Sequence, residues 1–335
     1  MLRRTLTALA LAVIGLPAII YGGVFYFLVM AIFLVGSAWE YVLMFCAVKF
    51  EPQVKSIIRG AAFIIVARIL AQIFFPQYGM VVLLVTILLV LGYHFISHFI
   101  EYERSRDLTS AKIEPQFHVI IGSVASINIA RMFFPLYAVP VFAATILIAL
   151  TYHLIAYERG RNQAALDFSV TVAGIVYIGW IGSYLLDLRQ LPQGGWWFMI
   201  ILPIVWAGDT GAYSIGAVYG KHKMTPRLSP KKSWEGYFAG VFTSVLVGAF
   251  FAYSFSTLGP QPLGGLINPL QGGLLGLFIG AVAPLGDLGE SMLKPQSGLK
   301  DSSNIFPGHG GFLDRIDSWI WGAALGYFMI QFFIL

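Results

Sequence analysis

The chain has 335 residues, of which 58% are hydrophobic and only 11% are charged. Soluble domains average about 45–50% apolar and about 25% charged residues, so a water-soluble chain of this size could not cover its surface. The net charge of +5 fits basic residues collected in cytoplasmic loops better than a nucleic-acid interface. The composition therefore predicts an all-α, polytopic membrane helical bundle with no nucleic-acid partner.

The N-terminal segment is apolar after Arg3 and Arg4 and stays so through Tyr21 without a small-residue cleavage site. This pattern favours an uncleaved first membrane span over a signal peptide. Cys46 is the single cysteine of the chain. An intramolecular disulfide and a cysteine metal site are therefore both excluded.

A helix needs about 20 apolar residues to cross the hydrocarbon core, and this length predicts about eleven spans, or about nine to ten where segments are re-entrant. They lie near residues 5–21, 24–48, 60–75, 80–100, 117–134, 138–157, 168–187, 196–218, 236–256, 272–293 and 316–335. With a cytoplasmic N-terminus, 18 Lys and Arg residues fall inside the cell and only Arg189 falls outside. This asymmetry predicts that orientation, because basic residues concentrate in cytoplasmic loops.

Two stretches of the N-terminal half, residues 60–104 and 117–159, resemble each other. Two pairs of motifs carry the similarity: Phe74-Phe-Pro76 with Phe133-Phe-Pro135, and Tyr93-His94 with Tyr152-His153. The repeat predicts a duplicated helical hairpin, which we interpret as a scaffold. The chain is accordingly divided into N-terminal membrane helices (1–190) and a C-terminal catalytic membrane region (191–335).

Charged side chains inside the predicted spans need partners or a function, because a charge at membrane depth costs several kcal/mol. Arg68 and Arg131 are expected to reach the interface or to pair with acids, with a substrate role as the less favoured alternative. Glu40 and Asp209 are the acidic candidates. Glycines at intervals of four predict close helix packing: Gly236 with Gly240, and Gly272 with Gly276 and Gly280.

Polar residues concentrate after position 205, in three clusters. The first spans 206–236 and includes Asp209, Lys231 and Lys232 among Gly, Ser and Pro residues. Its composition is typical of phosphate binding, and equally of a basic cytoplasmic loop.

The second cluster follows Pro284, which is expected to break the span before it. Asp287, Glu290, Ser291 and Lys294 then fall at i, i+3, i+4 and i+7, so a helix places them on one face. A stripe of two acids, a hydroxyl and an amine near a membrane boundary has no packing rationale and indicates a site.

The third cluster opens the last predicted span after a glycine-rich loop. Its candidate residues are Lys300, Asp301, His309, Asp314, Arg315 and Asp317. Carboxylates from separate spans, surrounded by lysines, favour Mg²⁺ held together with substrate phosphates, and a second cation is left open. A zinc hydrolase is disfavoured because the sequence has no H-E-x-x-H motif.

These residues resemble the signature of the phosphatidate cytidylyltransferase family. The matching segments are Asp209-Thr-Gly-Ala-Tyr213, Ser229-Pro-Lys-Lys232-Ser-Trp234, Ser291-Met-Leu-Lys294, Lys300-Asp301 and Pro307-Gly-His309-Gly-Gly-Phe-Leu-Asp314-Arg315-Ile-Asp317. Ser37-Ala-Trp-Glu40 also resembles a family element near the N-terminus. One departure is Pro295, which follows Lys294 where the family usually has arginine.

The resemblance implies transfer of a cytidylyl group from CTP to phosphatidate, giving CDP-diacylglycerol and pyrophosphate, at the cytoplasmic face of a bacterial-type inner membrane. It places Mg²⁺ on Asp287, Asp314 and Asp317, with Asp209 assisting. Four basic residues are expected to contact phosphates: Lys231, Lys232, Lys294 and Arg315. The remaining candidates orient the site or shape the nucleotide loop: Glu290, Ser291, Lys300, Asp301 and His309.

Two alternatives stay open at the level of the sequence. One is a related CTP-dependent enzyme acting on an ether lipid or a polyprenol. The other, less favoured, is a transporter, which the helical repeat and the intramembrane charges would suit. CTP, phosphatidate and membrane lipids are the expected partners, and the oligomeric state is left open, a homodimer included.

Overall fold

The computed structural model describes residues 2–45, 116–257, 267–297, 303, 305–306 and 310–335. Six helical segments of this part are long and apolar enough to cross a membrane. The chain is thus an integral membrane protein built as a polytopic helical bundle, which confirms the predicted fold class. The predicted spans at 60–75 and 80–100, which hold Arg68 and the first copy of the repeat, lie outside the described residues.

The helices are α1 (Leu2–Tyr21), α2 (Gly23–Phe45), α3 (Gln116–Phe133), α4 (Ala138–Glu158), α5 (Ala164–Gly174), α6 (Tyr184–Gln190), α7 (Gly194–Tyr219), α8 (Trp234–Thr257), α9 (Pro269–Val282), α10 (Pro284–Ser297) and α11 (Leu313–Phe333). A 3₁₀ turn (Pro135–Tyr137) precedes α4, and a π-helical segment (Ile175–Ile181) joins α5 to α6. Two short strands, β1 (Lys223–Thr225) and β2 (Ser229–Ser233), lie between α7 and α8.

The helix bounds agree with the predicted spans to within a few residues, because the length of an apolar run is set by the membrane it must cross. Two predicted spans are divided. The span 168–187 consists of α5, the π-helical segment and α6. The span 272–293 consists of two helices, α9 and α10, that meet at Pro284. Proline has no N–H to donate and its ring clashes with the preceding turn. The predicted break at Pro284 is confirmed.

The hydrophobic core joins α2 to helices that lie far along the chain. Tyr26 of α2 is fully buried, and its hydroxyl donates to the Leu185 carbonyl of α6 at 2.8 Å. Tyr41, further along α2, donates to the Val170 carbonyl of α5 at 2.9 Å. Because a hydroxyl without a partner is costly in an apolar interior, these bonds fix how α2 sits against α5 and α6.

Helices α7, α8 and α9 pack with their backbones in contact. A Cβ atom on Gly240 would lie 2.7 Å from the Gly208 carbonyl oxygen, and the same position on Gly276 is occupied by the Ser244 carbonyl. The Ser244 hydroxyl in turn donates to the Ile204 carbonyl of α7 at 3.0 Å. Small residues allow this approach in a membrane, where close packing drives helix association. The predicted glycine ridges are therefore confirmed.

Arg131 of α3 forms an ion pair with Asp187 of α6. Its guanidinium carbon lies 3.9 Å from the centre of the Trp180 ring and 4.5 Å from that of Tyr184. Cation–π contacts of this kind stabilise a desolvated arginine. The expectation that Arg131 pairs with an acid is confirmed.

The ends of several helices can be placed on the same side of the bundle. Arg189, in the last turn of α6, donates from Nε to the Ile19 carbonyl near the end of α1, at 2.8 Å. Gln190 donates to the carbonyl of Arg131, near the end of α3, at 3.2 Å. This grouping agrees with the alternation of spans drawn from the sequence, whereas the cytoplasmic location of the N-terminus stays a prediction.

Among the described residues, the hairpin of β1 and β2 is a departure from helix and turn that bears on the site. The strands run antiparallel, with Lys223 opposite Ser233 and Thr225 opposite Ser229. A carboxylate of α8, Glu235, accepts from the backbone N–H of His222 at 3.1 Å, and its Oε1 lies 2.6 Å from His222 Nδ1. The sequence predicts only a loop here, and the side chain of Glu235 holds that loop as a hairpin.

Candidate active site

Helix α10 presents the predicted polar stripe on one face. Asp287 and Glu290 lie in its first two turns, and Lys294 follows one turn later. The Lys294 ammonium lies 3.3 Å from Glu290 Oε2, the contact that i and i+4 residues make on a helix. Glu290 is almost fully buried, while Asp287 and Ser291 are half-buried. The stripe therefore faces the protein rather than lipid.

Helix α11 opens with three charged residues, Asp314, Arg315 and Asp317. The Gly311 N–H donates to Asp314 Oδ2 at 2.7 Å, which satisfies a backbone donor ahead of the helix. Gly310 has φ of 75°, the left-handed region, where a side chain would be strained. The loop before α11 is thus turned back toward the first turn of the helix.

An acidic cluster forms where α10 and α11 meet. Asp287, Glu290 and Asp317 each offer a carboxylate oxygen within 4.8 Å of the others. Gly286 lets the two helices approach, because the Asp317 carbonyl carbon and Trp321 Cδ1 each lie 2.8 Å from where its Cβ would stand. Glu290 Oε1 is buried and has no hydrogen-bond partner among the described residues. Three carboxylates held so close favour a bound cation that offsets their repulsion.

Two lysines flank the acidic cluster. Lys294 bridges the helices, since its Nζ lies 2.5 Å from Asp314 Oδ1 as well as near Glu290. Lys232, from β2, lies 2.6 Å from Asp287 Oδ2 and donates to the Pro284 carbonyl at 3.4 Å. Both ammonium groups are only partly exposed. Positive charge therefore stands on two sides of the carboxylates, where phosphate oxygens would be stabilised.

Asp209 comes from a third helix, α7. It interacts electrostatically with Asp287, Lys232 and Arg315. Lys231 precedes Lys232 on β2, and its side chain is exposed. The structure thus brings residues of the three sequence clusters into one region.

The acidic cluster differs from the predicted metal ligands by one residue. It contains Glu290, whereas Asp314 lies with Lys294 and the Gly311 N–H. Spacing alone could not separate these two acids, because each lies on the same helix face as a second cluster member. Lys300, Asp301 and His309 lie outside the described residues. Pro295 falls within α10, so the helix continues past the position where the family usually has arginine.

One residue of this region was recognised in the sequence without a role. Glu40 of α2 is fully buried, and its carboxylate accepts from the Phe312 and Leu313 N–H groups, each at 2.8 Å. Its position inside an apolar span and its place in the element Ser37-Ala-Trp-Glu40 singled it out, and nothing in the local pattern indicated what it binds.

A bundle of membrane helices that gathers carboxylates, lysines and an arginine at one place is suited to binding phosphate groups with a divalent cation. The sequence-family model of the cytidylyltransferase family matches residues 2–333. The chain belongs to that family, which confirms the resemblance seen in its motifs.

Individual relatives are similar over part of their length. The chain is 43% identical over 147 residues to the phosphatidate cytidylyltransferase of Haemophilus influenzae, a match that covers 43% of this chain and 48% of that protein. It is 35% identical over 191 residues to the enzyme of that name from Bacillus subtilis, covering 56% and 66%. For the Mycobacterium tuberculosis protein of the same name the identity is 29% over 226 residues, covering 64% and 66%. The chain thus spans about half to two thirds of the length of the curated relatives it matches.

Proposed function

We propose that the protein is a nucleotidyltransferase that transfers the cytidylyl group of CTP to phosphatidate, yielding CDP-diacylglycerol and pyrophosphate. The observation that carries the proposal is the acidic cluster of Asp287, Glu290 and Asp317 between Lys232 and Lys294. Membership of the cytidylyltransferase family and the names of its relatives support the substrates.

The donor set of the cluster fits Mg²⁺. All three groups are carboxylates, and Mg²⁺ prefers oxygen ligands completed by water or substrate phosphates. The buried Glu290 Oε1 that lacks a partner among the described residues is a ligand atom of the required kind. Asp287, Glu290 and Asp317 would hold the ion. Asp314, which the sequence also predicts as a ligand, forms an ion pair with Lys294. When bound, the ion would neutralise phosphate charge and help to align the two substrates.

The reaction needs no nucleophilic side chain. An oxygen of the lipid phosphate, already an anion, forms a bond to the α-phosphorus of CTP, and the bond from that phosphorus to the bridging oxygen of the β-phosphate breaks. Both electrons of that bond leave with pyrophosphate. The protein therefore contributes alignment and charge stabilisation. Lys232, Lys294 and Arg315 would contact phosphate oxygens, with Lys231 at the exposed edge.

Two features of the cluster suit this use of the lysines. Lys294 already spans two acids, so an incoming phosphate can replace one of them without moving the side chain far. Lys232 stands on a hairpin that joins α7 to α8, opposite Asp287.

We infer that the site opens at the cytoplasmic face of a bacterial-type inner membrane, where CTP is available and lipid headgroups lie. The 18 to 1 distribution of Lys and Arg supports that orientation.

The test is cytidylyl transfer from labelled CTP to phosphatidate by the full chain in detergent micelles with Mg²⁺. We expect labelled CDP-diacylglycerol and equimolar pyrophosphate, and loss of both when EDTA removes the metal. Asp287→Ala and Asp317→Ala should each lower the rate at least about 100-fold, the scale of losing a charge-stabilising group.

Parallel reactions with an ether-linked acceptor and a polyprenol test the related enzymes. A labelled product from one of these lipids and none from phosphatidate would refute the proposed substrate. Full activity of both aspartate variants would refute the metal site. A labelled product that forms equally well in EDTA would do the same.

A further inference from the structure

Glu40, near the N-terminal end of the chain, forms hydrogen bonds with residues near its C-terminal end. Its Oε1 accepts from the Phe312 N–H at 2.8 Å and from the Ser303 hydroxyl at 2.5 Å, and its Oε2 accepts from the Leu313 N–H at 2.8 Å. These groups are 263 to 273 positions away in sequence. The side chain is fully buried. A buried carboxylate so placed is held by the donors around it, and it holds them in turn.

The donors that Glu40 satisfies begin helix α11. The first N–H groups of a helix have no partner within the helix, and the helix dipole favours negative charge beside them. Capping groups normally come from residues next to the helix in sequence. Here the carboxylate comes from α2, so a second helix determines where α11 starts.

Aromatic contacts reinforce the same junction. Phe33 of α2 lies 5.4 Å, between ring centres, from Phe312 and 6.0 Å from Phe306. Gly36, one turn before Glu40, leaves space for the Phe312 ring, whose Cγ lies 2.7 Å from where a Cβ would stand. The face of α2 formed by Phe33, Gly36 and Glu40 therefore seats the segment that leads into α11.

We propose that Glu40 is a positioning residue of the active site. The charged residues of α11 lie within its first five positions, directly after the two N–H groups that Glu40 binds. Moving the start of α11 would move Asp314 away from Lys294, and Asp317 away from Asp287 and Glu290. Glu40 itself acts through the backbone of Phe312 and Leu313. Its effect on turnover rests on the proposed function, whereas its hold on α11 does not.

The experiment compares Glu40→Gln with the unchanged full chain in micelles. Amide hydrogen exchange is measured on peptides covering residues 303–318, and kcat and KM for CTP are measured in the same preparation. Glutamine keeps the shape but loses the charge and one acceptor, so we expect exchange at 312–313 to accelerate about tenfold or more. We expect kcat to fall roughly 10- to 100-fold with KM for CTP changed less than about threefold, since alignment is lost rather than nucleotide affinity.

Two further variants separate positioning from a general loss of stability. Asn128→Ala removes a buried polar side chain that bonds within its own helix, to the Val124 carbonyl at 2.7 Å. It should leave both exchange at 312–313 and kcat unchanged. Ser303→Ala removes one of the three bonds to Glu40 that the described residues make and should give a smaller change of the same kind.

Unchanged exchange at 312–313 in Glu40→Gln would overturn the proposal, as would a normal kcat or an equal loss in Asn128→Ala. Were Glu40→Gln not to fold, Ser303→Ala would decide by the same two measurements. If the unsubstituted chain shows no cytidylyl transfer, the proposed function is refuted. The comparison of amide exchange would still show whether Glu40 holds the start of α11.

Discussion

Two glycines of α10 provide a controlled test of how closely α10 and α11 meet at the acidic cluster. Gly286 faces α11, where the Asp317 carbonyl carbon and Trp321 Cδ1 stand 2.8 Å from the position of a Cβ. Gly289, one turn later on the same helix, has no heavy atom of the described residues within 4 Å of that position. Alanine at each site adds the same methyl group to the same helix, so only the neighbouring atoms differ.

The magnitude follows from the distances. Ordinary van der Waals contact begins at 3.4 Å, and the atom nearest to the added Cβ is the Asp317 carbonyl oxygen, which is closer still than the carbonyl carbon. Gly286→Ala must therefore separate the helices locally by about 1 Å or distort α10. Overpacking of this kind costs about 1–3 kcal/mol, whereas replacing a helical glycine by alanine gains about 0.5–1 kcal/mol. We expect Gly289→Ala to be slightly stabilised, and the difference between the two variants to equal the packing cost alone.

The free energy of unfolding is measured by reversible denaturation in mixed detergent micelles, and cytidylyl transfer is measured beside it. Gly286→Ala should lose about tenfold or more in kcat, because a displacement approaching 1 Å between catalytic groups is costly. Gly289→Ala should keep the unchanged rate within about twofold. Equal unfolding free energies together with equal rates would show that α10 and α11 do not touch at Gly286, and the reasoning would fail.

Two further predictions concern charges. Lys232→Met should lower kcat/KM about 100-fold, because it removes the positive charge beside Asp287. Lys232→Arg keeps that charge and should keep most of the rate. Equal rates in the two variants would contradict a role for the charge. Arg131→Leu should lower the free energy of unfolding by about 3–5 kcal/mol, because it leaves the largely buried carboxylate of Asp187 without the arginine. Arg131→Leu combined with Asp187→Leu should recover much of that loss. If denaturation gave the double variant a larger loss than the single one, the ion pair would not explain the cost.

The charges of the site are arranged as alternating partners rather than as separate acidic and basic patches. Lys294 lies between Glu290 and Asp314, and Lys232 lies against Asp287. In a chain with only 11% charged residues, this network concentrates charge where two helices and a hairpin meet. Such an arrangement lowers the cost of keeping charges in the bundle.

Much of the helical architecture follows from local rules. The extent of α7 and α8 could be predicted because a span must match the thickness of the membrane. The break at Pro284 could be predicted from the missing N–H of proline. The Gly272–Gly276 ridge could be predicted because residues four apart lie on one helix face. The hairpin of β1 and β2 could not, because the contact between Glu235 of the following helix and His222, just before β1, joins residues 13 positions apart.

The sequence by itself determined the membrane class and the bounds of most described spans, and it singled out the acids of the acidic cluster as candidates. Hydrophobic length and helical spacing are properties of neighbouring positions, so a local pattern can reveal them. Tertiary structure alone decided which of those residues meet. It grouped Glu290 rather than Asp314 with Asp287 and Asp317. It also brought Glu40, from the second helix, to the start of the last one. Contacts between helices depend on how whole faces pack, and no local pattern specifies them.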